Sequence, residues 1–307
     1  MFRMTNPPLP SLRHWLIATR PWSFPASSMP ALVTFVYVFF LSRQDALQVQ
    51  WPAGVLAVIG AVVFQISGNL ISDYFDYTRG VDREDTFGSS RLLVGGVFRP
   101  RTIFWYGMVF ITLGVLLGLY LVAQTGWPLL VIGLLGFFGA AFYTQFKSRA
   151  LGDALIFVIY GPLISLGVFY VMTGLLDWRI VVLSLPIAFI TVNILHANNT
   201  RDIAHDRRAH IKTFAMLLGV RASIVEYKLL LALTYLLIAA LAASGILHWA
   251  TLCVFLTLPL AIGNCRIMER AREGQPENIR DLDVRTAKLQ LMFSALLAGL
   301  IFLSAWL

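Results

Sequence analysis

The sequence predicts an all-α, polytopic membrane protein with about nine transmembrane helices. Composition is the first reason: 58% of the 307 residues are hydrophobic and only 13% are charged, with a mean hydropathy of +0.75. A soluble domain carries about 25% charged residues. The second reason is that long apolar runs recur from one end of the chain to the other, and a bilayer is the solvent that accommodates them. An ordinary soluble globule is therefore excluded.

The N-terminal segment, residues 1–20, is predicted to be cytoplasmic or interfacial. It lacks the compact apolar core and small-residue cleavage site of a signal peptide. Residues 11–19 have the pattern of an amphipathic helix lying in the interface, with Trp15 as an aromatic anchor. No separate soluble domain follows, so we expect one membrane domain over residues 1–307.

The spans follow from windows of about 20 apolar residues. The candidate windows are 22–42, 52–75, 103–123, 127–146, 152–174, 180–198, 223–244, 248–265 and 286–306.

Charge along the chain predicts the orientation. All but Arg43 and Arg179 of the 24 basic residues fall in alternate connections, on one side of the membrane. By the positive-inside rule that side is cytoplasmic, so the N-terminus is inside and the C-terminus outside. The largest polar insertions, 76–102, 199–222 and 266–285, all lie on this side.

The net charge and the cysteines argue against several classes of function. A balance of +8 reflects the orientation of the spans, so we expect no nucleic-acid partner. The two cysteines, Cys253 and Cys265, form neither a disulfide framework nor a C-x-x-C metal motif. Redox chemistry and structural zinc are therefore poor explanations of the chain.

Two stripes of acidic and amide side chains stand at cytoplasmic span ends. Asn69, Asp73 and Asp76 follow one helix face at the end of the second span. At the end of the sixth span, Asp202 and Asp206 continue a stripe that starts at Asn198 or Asn199. Ionisable residues near a membrane are costly, so these stripes are the main functional evidence.

The stripes predict a hard cation and a phosphorylated ligand. Carboxylate and amide oxygens without thiolates favour Mg²⁺, which completes its shell with water and phosphate oxygens. Neighbouring basic side chains are candidate donors to a diphosphate; they are Arg79, Arg91, Lys147, Arg149, Arg201 and Lys212. Interfacial ion pairing is the alternative for either stripe alone, and a zinc site with His205 and His210 is a weaker alternative. Tyr160 is a candidate to orient a substrate.

The sequence resembles the UbiA superfamily of intramembrane aromatic prenyltransferases, and within it the 1,4-dihydroxy-2-naphthoate polyprenyltransferases of menaquinone biosynthesis. The most specific match is the run Asn198-Asn-Thr-Arg-Asp-Ile-Ala-His-Asp206, similar to the motif N-N-x-R-D-x-x-x-D. The segments that carry the resemblance are 19–26, 69–76, 79–82, 90–92, 151–153, 161–162, 198–206 and 212–213.

The resemblance implies a helical bundle around a central cavity that opens to lipid and is capped by cytoplasmic loops. It also implies Mg²⁺-dependent transfer of a polyprenyl group from polyprenyl diphosphate to an aromatic acceptor, with loss of CO₂ if the acceptor is dihydroxynaphthoate. The metal-binding, catalytic residues it implies are Asp73, Asp76, Asp202 and Asp206. The substrate-binding set is Asn69, Arg79, Asp82, Arg91, Lys147, Asp153, Tyr160, Asn198, Asn199, Arg201 and Lys212.

Several alternatives remain open on the sequence. Another acceptor, such as 4-hydroxybenzoate or homogentisate, keeps the same chemistry. A secondary transporter predicts charges near the membrane midplane rather than at span ends. Asp153 and Asp82 are candidates for a base that orients the acceptor, or for helix-capping carboxylates. We expect a bacterial cytoplasmic membrane with the site on its cytoplasmic side; chain length of the donor and oligomeric state are not predicted.

Overall fold

The computed structural model describes residues 10–44, 47–80, 91–208 and 211–307. Helices make up the regular elements of these residues, which confirms the predicted all-α class. In chain order they are α1 (Leu12–Ala18), α2 (Phe24–Gln44), α3 (Trp51–Thr78), α4 (Pro100–Thr125), α5 (Trp127–Ala141), α6 (Tyr143–Lys147), α7 (Gly152–Val158), α8 (Ile164–Thr173), α9 (Trp178–Arg201), α10 (Ile203–Arg208), α11 (Phe214–Ala243), α12 (Leu258–Met268) and α13 (Leu282–Ser304). Four further helical segments precede or join them, a π turn at Ile159–Leu163 and 3₁₀ helices at Pro21–Ser23, Trp249–Thr257 and Pro276–Ile279.

Within the described residues, eight helical segments are long and apolar enough to cross a membrane. The window 127–146 differs from its prediction, because α5 has only 15 residues. Phe142 leaves the helical region with φ −99° and ψ 12°, and the chain resumes as α6. At 1.5 Å per residue α5 is about 22 Å long, which is shorter than a hydrocarbon core of about 30 Å.

The N-terminal helix α1 lies on the outside of the bundle. Leu12 and Leu16 are exposed, as expected for an interfacial helix. Trp15, however, packs edge-on against Phe98 and Tyr106 at centroid distances of 4.7 and 4.8 Å. This aromatic contact fixes α1 to the start of α4 and so fixes the chain that leads into α2.

The most buried span is α9, with 67% of its apolar window inside the protein, against 17% for α4. It packs against α7, α11 and α13. The second acidic stripe therefore lies at the end of the central helix of the bundle. The first lies at the end of α3, which packs against α2, α4 and α8.

A π turn over Ile159–Leu163 joins α7 to α8 and contains Pro162. Proline lacks an N–H, and the wider turn accommodates the missing helical hydrogen bond. Next to it, Gly161 lets this segment approach α9 closely, because a Cβ added there would stand 2.6 Å from Ala188 Cβ. Tyr160 also belongs to this turn.

Two connections on the predicted cytoplasmic side are joined by backbone contacts. Ala150 donates its N–H to the Lys212 carbonyl over 2.8 Å, and Arg149 forms an isolated bridge with Lys212. The junction of α6 and α7 is thereby held beside the chain that follows α10.

Candidate active site

The first stripe lies on the last turns of α3. Asn69 and Asp73 are buried, and Asp76 is half-buried. The Ser72 hydroxyl donates a hydrogen bond to Asp76 Oδ2 over 3.1 Å. Asp76 is thus oriented by a residue one turn earlier on its own helix.

Asn69 organises a hydrogen-bonded chain around this stripe. Its Nδ2 donates to the Thr19 carbonyl over 3.0 Å and to Ser23 Oγ over 2.8 Å. Its Oδ1 accepts from Gln65 over 3.1 Å, and Gln65 in turn accepts from the Tyr160 hydroxyl over 2.6 Å. Asn69 and Tyr160 were predicted to bind substrate, but here their polar atoms fasten the chain before α2, and the π turn, to α3.

Arg20 forms an ion pair with Asp73. The Asp73 side chain is 4% exposed and that of Arg20 is 18% exposed, so the pair sits at the edge of the protein interior. Sequence reasoning placed Arg20 only among the basic residues of the cytoplasmic side. Its position directly after Thr19, in the run 19–26 that carries the family resemblance, was the available signal.

The second stripe is held by Arg201. Its guanidinium donates to both oxygens of Asp202 at 2.9 Å, to Asp283 Oδ2 at 2.9 Å and to the Arg280 carbonyl at 3.0 Å. With its amide oriented to satisfy both partners, Asn198 donates to Asp202 and accepts from Arg201, each over 3.1 Å. The guanidinium thus links the end of α9 to the start of α13, and diphosphate binding by Arg201 stays a prediction.

Asp206 has a different environment from Asp202. It is buried, and its Oδ2 has no hydrogen-bond partner among the described residues. Burial raises the pKa of this carboxyl above its ordinary value, and the charge of Lys147 opposes that shift. A buried carboxylate oxygen without a donor is suited to a cation.

Tyr143 lies near acidic residues of both stripes. Its phenol interacts electrostatically with Asp76 from the first stripe, Asp206 from the second and Asp153 at the start of α7. Lys147, four residues on, interacts with Asp206. Asp76, Asp153 and Asp206 are therefore all close enough to Tyr143 to interact with it electrostatically, and a single site formed by both stripes stays a prediction.

Other predicted residues lie farther out. Arg79, Arg91 and Lys212 are exposed, and Arg79 stacks over Phe75 at 5.1 Å. Asp82, like His210 of the zinc alternative, lies outside the described residues. The basic side chains beside the carboxylates of the stripes are Arg20 at Asp73, Arg201 at Asp202 and Lys147 at Asp206.

Asp153 and Asn199 contact each other. Asn199 Nδ2 donates to Asp153 Oδ1 over 3.3 Å, and His196 Nδ1 lies 2.7 Å from Asp153 Oδ2. His196 is fully buried, and Asp153 is its hydrogen-bond partner. Sequence reasoning gave no role to Glu226, whose Oε2 lies 3.3 Å from His196 Nε2.

A cavity of about 610 Å³ lies beside this region, between α5 and the segment from α7 to α8. Its walls are apolar and include Phe138, Phe142 and Ile159, with Arg149 at its border. No residue of the two stripes lines it.

Comparison with known proteins identifies the family. The sequence matches the UbiA prenyltransferase family over residues 29–282. It is 35% identical over 286 residues to UbiA prenyltransferase domain-containing protein 1 of Xenopus tropicalis, covering 91% of this chain and 78% of that protein. The Homo sapiens protein of the same name is 34% identical, with 91% and 80% covered. The chain belongs to the UbiA prenyltransferase family.

Solved structures agree with this fold. A UbiA homolog from Aeropyrum pernix K1 superposes with a TM-score of 0.65 at 14% identity, covering 87% of this chain and 96% of that one. A UbiA homolog from Archaeoglobus fulgidus bound to GPP and Mg²⁺ gives a TM-score of 0.57 at 18% identity, covering 92% and 99%.

Family membership settles the reaction class. This UbiA-family protein is an enzyme, a prenyltransferase that takes its prenyl group from a prenyl diphosphate. The transporter alternative is thereby removed. The names of the animal relatives specify no acceptor, and they lend no support to a bacterial membrane, which stays a prediction.

Proposed function

We propose that this UbiA-family enzyme transfers a polyprenyl group to an aromatic ring at the junction of the two acidic stripes. The observation that carries the proposal is Asp206, whose buried Oδ2 has no hydrogen-bond partner among the described residues. Asp76 of the first stripe and Asp206 of the second both interact electrostatically with Tyr143, which supports a site shared by the two stripes, and such a pair of carboxylate sets suits divalent cations with a diphosphate.

The residues present fit Mg²⁺. The donors at the junction are carboxylate oxygens, and one of them, Asp206 Oδ2, is buried without a hydrogen-bond partner among the described residues. Asp73 and Asp76 would hold the metal on one side, and Asp202 and Asp206 on the other. The chemistry that bound Mg²⁺ supplies is neutralisation of the charge that develops on the departing diphosphate.

Arg20 pairs with Asp73, and Lys147 interacts with Asp206. Each offers N–H donors to diphosphate oxygens that the metals leave exposed. In the transfer, the bond between allylic C1 and the diphosphate oxygen breaks, and its electron pair leaves with the diphosphate. A ring carbon of the acceptor then bonds to C1 and loses a proton or, from a carboxyl-bearing carbon, CO₂.

The acceptor we favour is 1,4-dihydroxy-2-naphthoate, which gives a demethylmenaquinone-type product. Its support is the resemblance of residues 198–206 to the motif of that branch. The basic connections favour a cytoplasmic site, with the N-terminus inside and the C-terminus outside.

Product analysis by mass spectrometry tests this function. Purified enzyme in nanodiscs receives Mg²⁺, a polyprenyl diphosphate and one acceptor from a panel that includes dihydroxynaphthoate, 4-hydroxybenzoate and homogentisate. We expect a prenylated naphthalenediol that requires Mg²⁺ and is lost in Asp73→Asn and Asp202→Asn. Glu277→Gln removes an exposed carboxylate outside the stripes and should leave the yield unchanged. Product from another acceptor alone would reassign the substrate.

A further inference from the structure

Three ionisable side chains form a line through the bundle, from α7 across α9 to α11. His196 is completely buried between Asp153 and Glu226. Its Nδ1 lies 2.7 Å from Asp153 Oδ2 and its Nε2 lies 3.3 Å from Glu226 Oε2. The transfer step described above uses neither His196 nor Glu226.

The geometry indicates a hydrogen bond to Asp153 and a charge contact with Glu226 rather than a shared metal, since His196 Nε2 and Glu226 Oε2 form no hydrogen bond among the described residues. The three groups are close enough to hold an ion, but the two ring nitrogens of His196 point in opposite directions, each toward a different carboxyl. One ion cannot contact both nitrogens. At 2.7 Å a carboxylate oxygen and an imidazole nitrogen need a proton between them, so Nδ1–H donates to Asp153.

Asp153 is oriented from two sides by α9. His196 holds its Oδ2, and Asn199, one turn later on the same helix, donates to its Oδ1 over 3.3 Å. Only 5% of Asp153 is exposed. Because both donors lie on the most buried span, the carboxylate has one fixed direction.

The inner end of the line meets the candidate active site. Asn199, which contacts Asp153 over 3.3 Å, belongs to the second stripe with Asp202 and Asp206, and Asp153 also interacts electrostatically with Tyr143. The outer end is Glu226, whose side chain is 20% exposed. The line therefore runs from the candidate active site to a partly exposed carboxyl.

The charge of these three side chains determines which substrate group Asp153 can bind. With both carboxyls ionised the group is negatively charged even when the imidazole is protonated, so it repels a diphosphate. A neutral hydroxyl donor is the matching partner, and an aromatic acceptor with a phenolic O–H supplies one. Accepting that proton in a hydrogen bond raises electron density in the ring, which favours attack on an allylic carbon.

We infer that Asp153 binds the hydroxyl of the aromatic acceptor, and that His196, backed by Glu226, is the positioning residue that fixes this carboxylate. The inference rests on the proposed function, since it names the acceptor side of that site.

Two amide substitutions test the two ring nitrogens of His196 one at a time. In His196→Asn the amide replaces Nδ1 and retains a donor to Asp153. In His196→Gln the longer amide reaches the position of Nε2 and leaves Asp153 without that donor. We expect His196→Gln to raise the acceptor KM about tenfold, the loss of one charge-assisted hydrogen bond, with the KM for the polyprenyl diphosphate unchanged. His196→Asn should stay within about threefold of the parent.

Acceptor binding without turnover gives a second readout. Calorimetric titration of 1,4-dihydroxy-2-naphthoate and of 4-hydroxybenzoate under anaerobic conditions, with no prenyl diphosphate, should show the same order of affinity: parent, His196→Asn, then His196→Gln. This measurement decides the inference even if product formation fails, so the two failures are distinguishable. Glu277→Gln, which removes an exposed carboxylate outside this line, should bind like the parent.

Three results would overturn the inference. One is an equal loss of affinity for acceptor and prenyl diphosphate in both His196 variants, in step with a fall in Tm, which indicates a structural role alone. Another is unchanged acceptor affinity in Asp153→Asn. The third is one equivalent of zinc in the purified enzyme that disappears in Glu226→Gln.

Discussion

Arg20 adopts a left-handed backbone conformation, with φ 54° and ψ 63°, immediately before Pro21. This region is unfavourable for a residue with a Cβ, at a cost of roughly 1–2 kcal/mol. The hydrogen bonds of Asn69 to Thr19 and Ser23 hold the flanking residues in place. The strained turn directs the guanidinium to Asp73.

Arg20→Gln should therefore impair donor binding. Loss of the positive charge leaves Asp73 without its guanidinium and removes a donor to diphosphate oxygens, so we expect the KM for the polyprenyl diphosphate to rise about tenfold or more. Steady-state kinetics at saturating acceptor measure this change. Arg13→Gln on the exposed face of α1 is the matched control and should behave as the parent; an equal effect in both variants would point to bulk charge at the membrane surface.

Tyr160→Phe should act on stability rather than on substrate. The hydroxyl is already engaged by Gln65 at 2.6 Å, so its removal costs about 1 kcal/mol of unfolding free energy. We expect a lower Tm in detergent and KM values within about threefold of the parent. A large rise in either KM at unchanged Tm would restore the substrate-binding role predicted from the sequence.

Residue roles were predictable only in part. The acidic stripes stand out because charged side chains near a membrane are costly, so Asp73, Asp76 and Asp206 could be found from spacing. The contact partners of Tyr160 and His196 could not be predicted, because Gln65 lies 95 residues from Tyr160 and Glu226 lies 30 residues from His196 in the sequence. No local pattern marks such contacts.

At the level of elements, the close packing of the π-turn segment on α9 sets the distance between Asp153 and its two donors. Gly161 allows this approach, since an added Cβ would stand 2.6 Å from Ala188 Cβ. Gly167, in the same span, has ordinary contacts, with Ile132 3.5 Å from an added Cβ.

Gly161→Ala should consequently destabilise the enzyme by about 1–3 kcal/mol through overpacking. Gly167→Ala makes the same chemical change where there is room, so its stability should differ from the parent by less than about 1 kcal/mol. Thermal denaturation in one detergent compares the two variants. Equal Tm values for both would show that α9 and the π turn are not tightly packed.

Apolar windows predicted the existence of the spans but not their interruptions. The break at Phe142 divides the window 127–146 into α5 and α6, and Gly219 breaks α11 with φ 72° and ψ 164°. The first break falls inside its apolar window, shortly before the polar residues at 144–149, and the second lies just before the window 223–244. Apolar windows alone therefore do not locate the ends of these helices.

For the whole molecule, the short helix α5 decides the topology. Between residues 48 and 273 the chain passes through α3, α4, α5, α7 with α8, α9, α11 and α12. If α5 crosses the bilayer these positions face opposite sides, and if it does not they face the same side. The positive-inside rule requires opposite sides.

Cysteine labelling in intact cells and inverted vesicles tests this topology. In a background of Cys253→Ser and Cys265→Ser, we expect an impermeant maleimide to label Gln48→Cys from outside and Glu273→Cys from the cytoplasmic side. Labelling of both from one side would mean that α5 does not span.

The central claim is that two acidic stripes act together on one metal-bound diphosphate. The most direct measurement is Mg²⁺-dependent pyrophosphate release, with acceptor present, from the parent, Asp76→Asn, Asp206→Asn and the Glu277→Gln control. We expect each stripe variant alone to lose about 100-fold or more of the rate, with weaker dependence on Mg²⁺ and an unchanged Tm. Full activity in either stripe variant, or release that persists without a divalent cation, would contradict the claim.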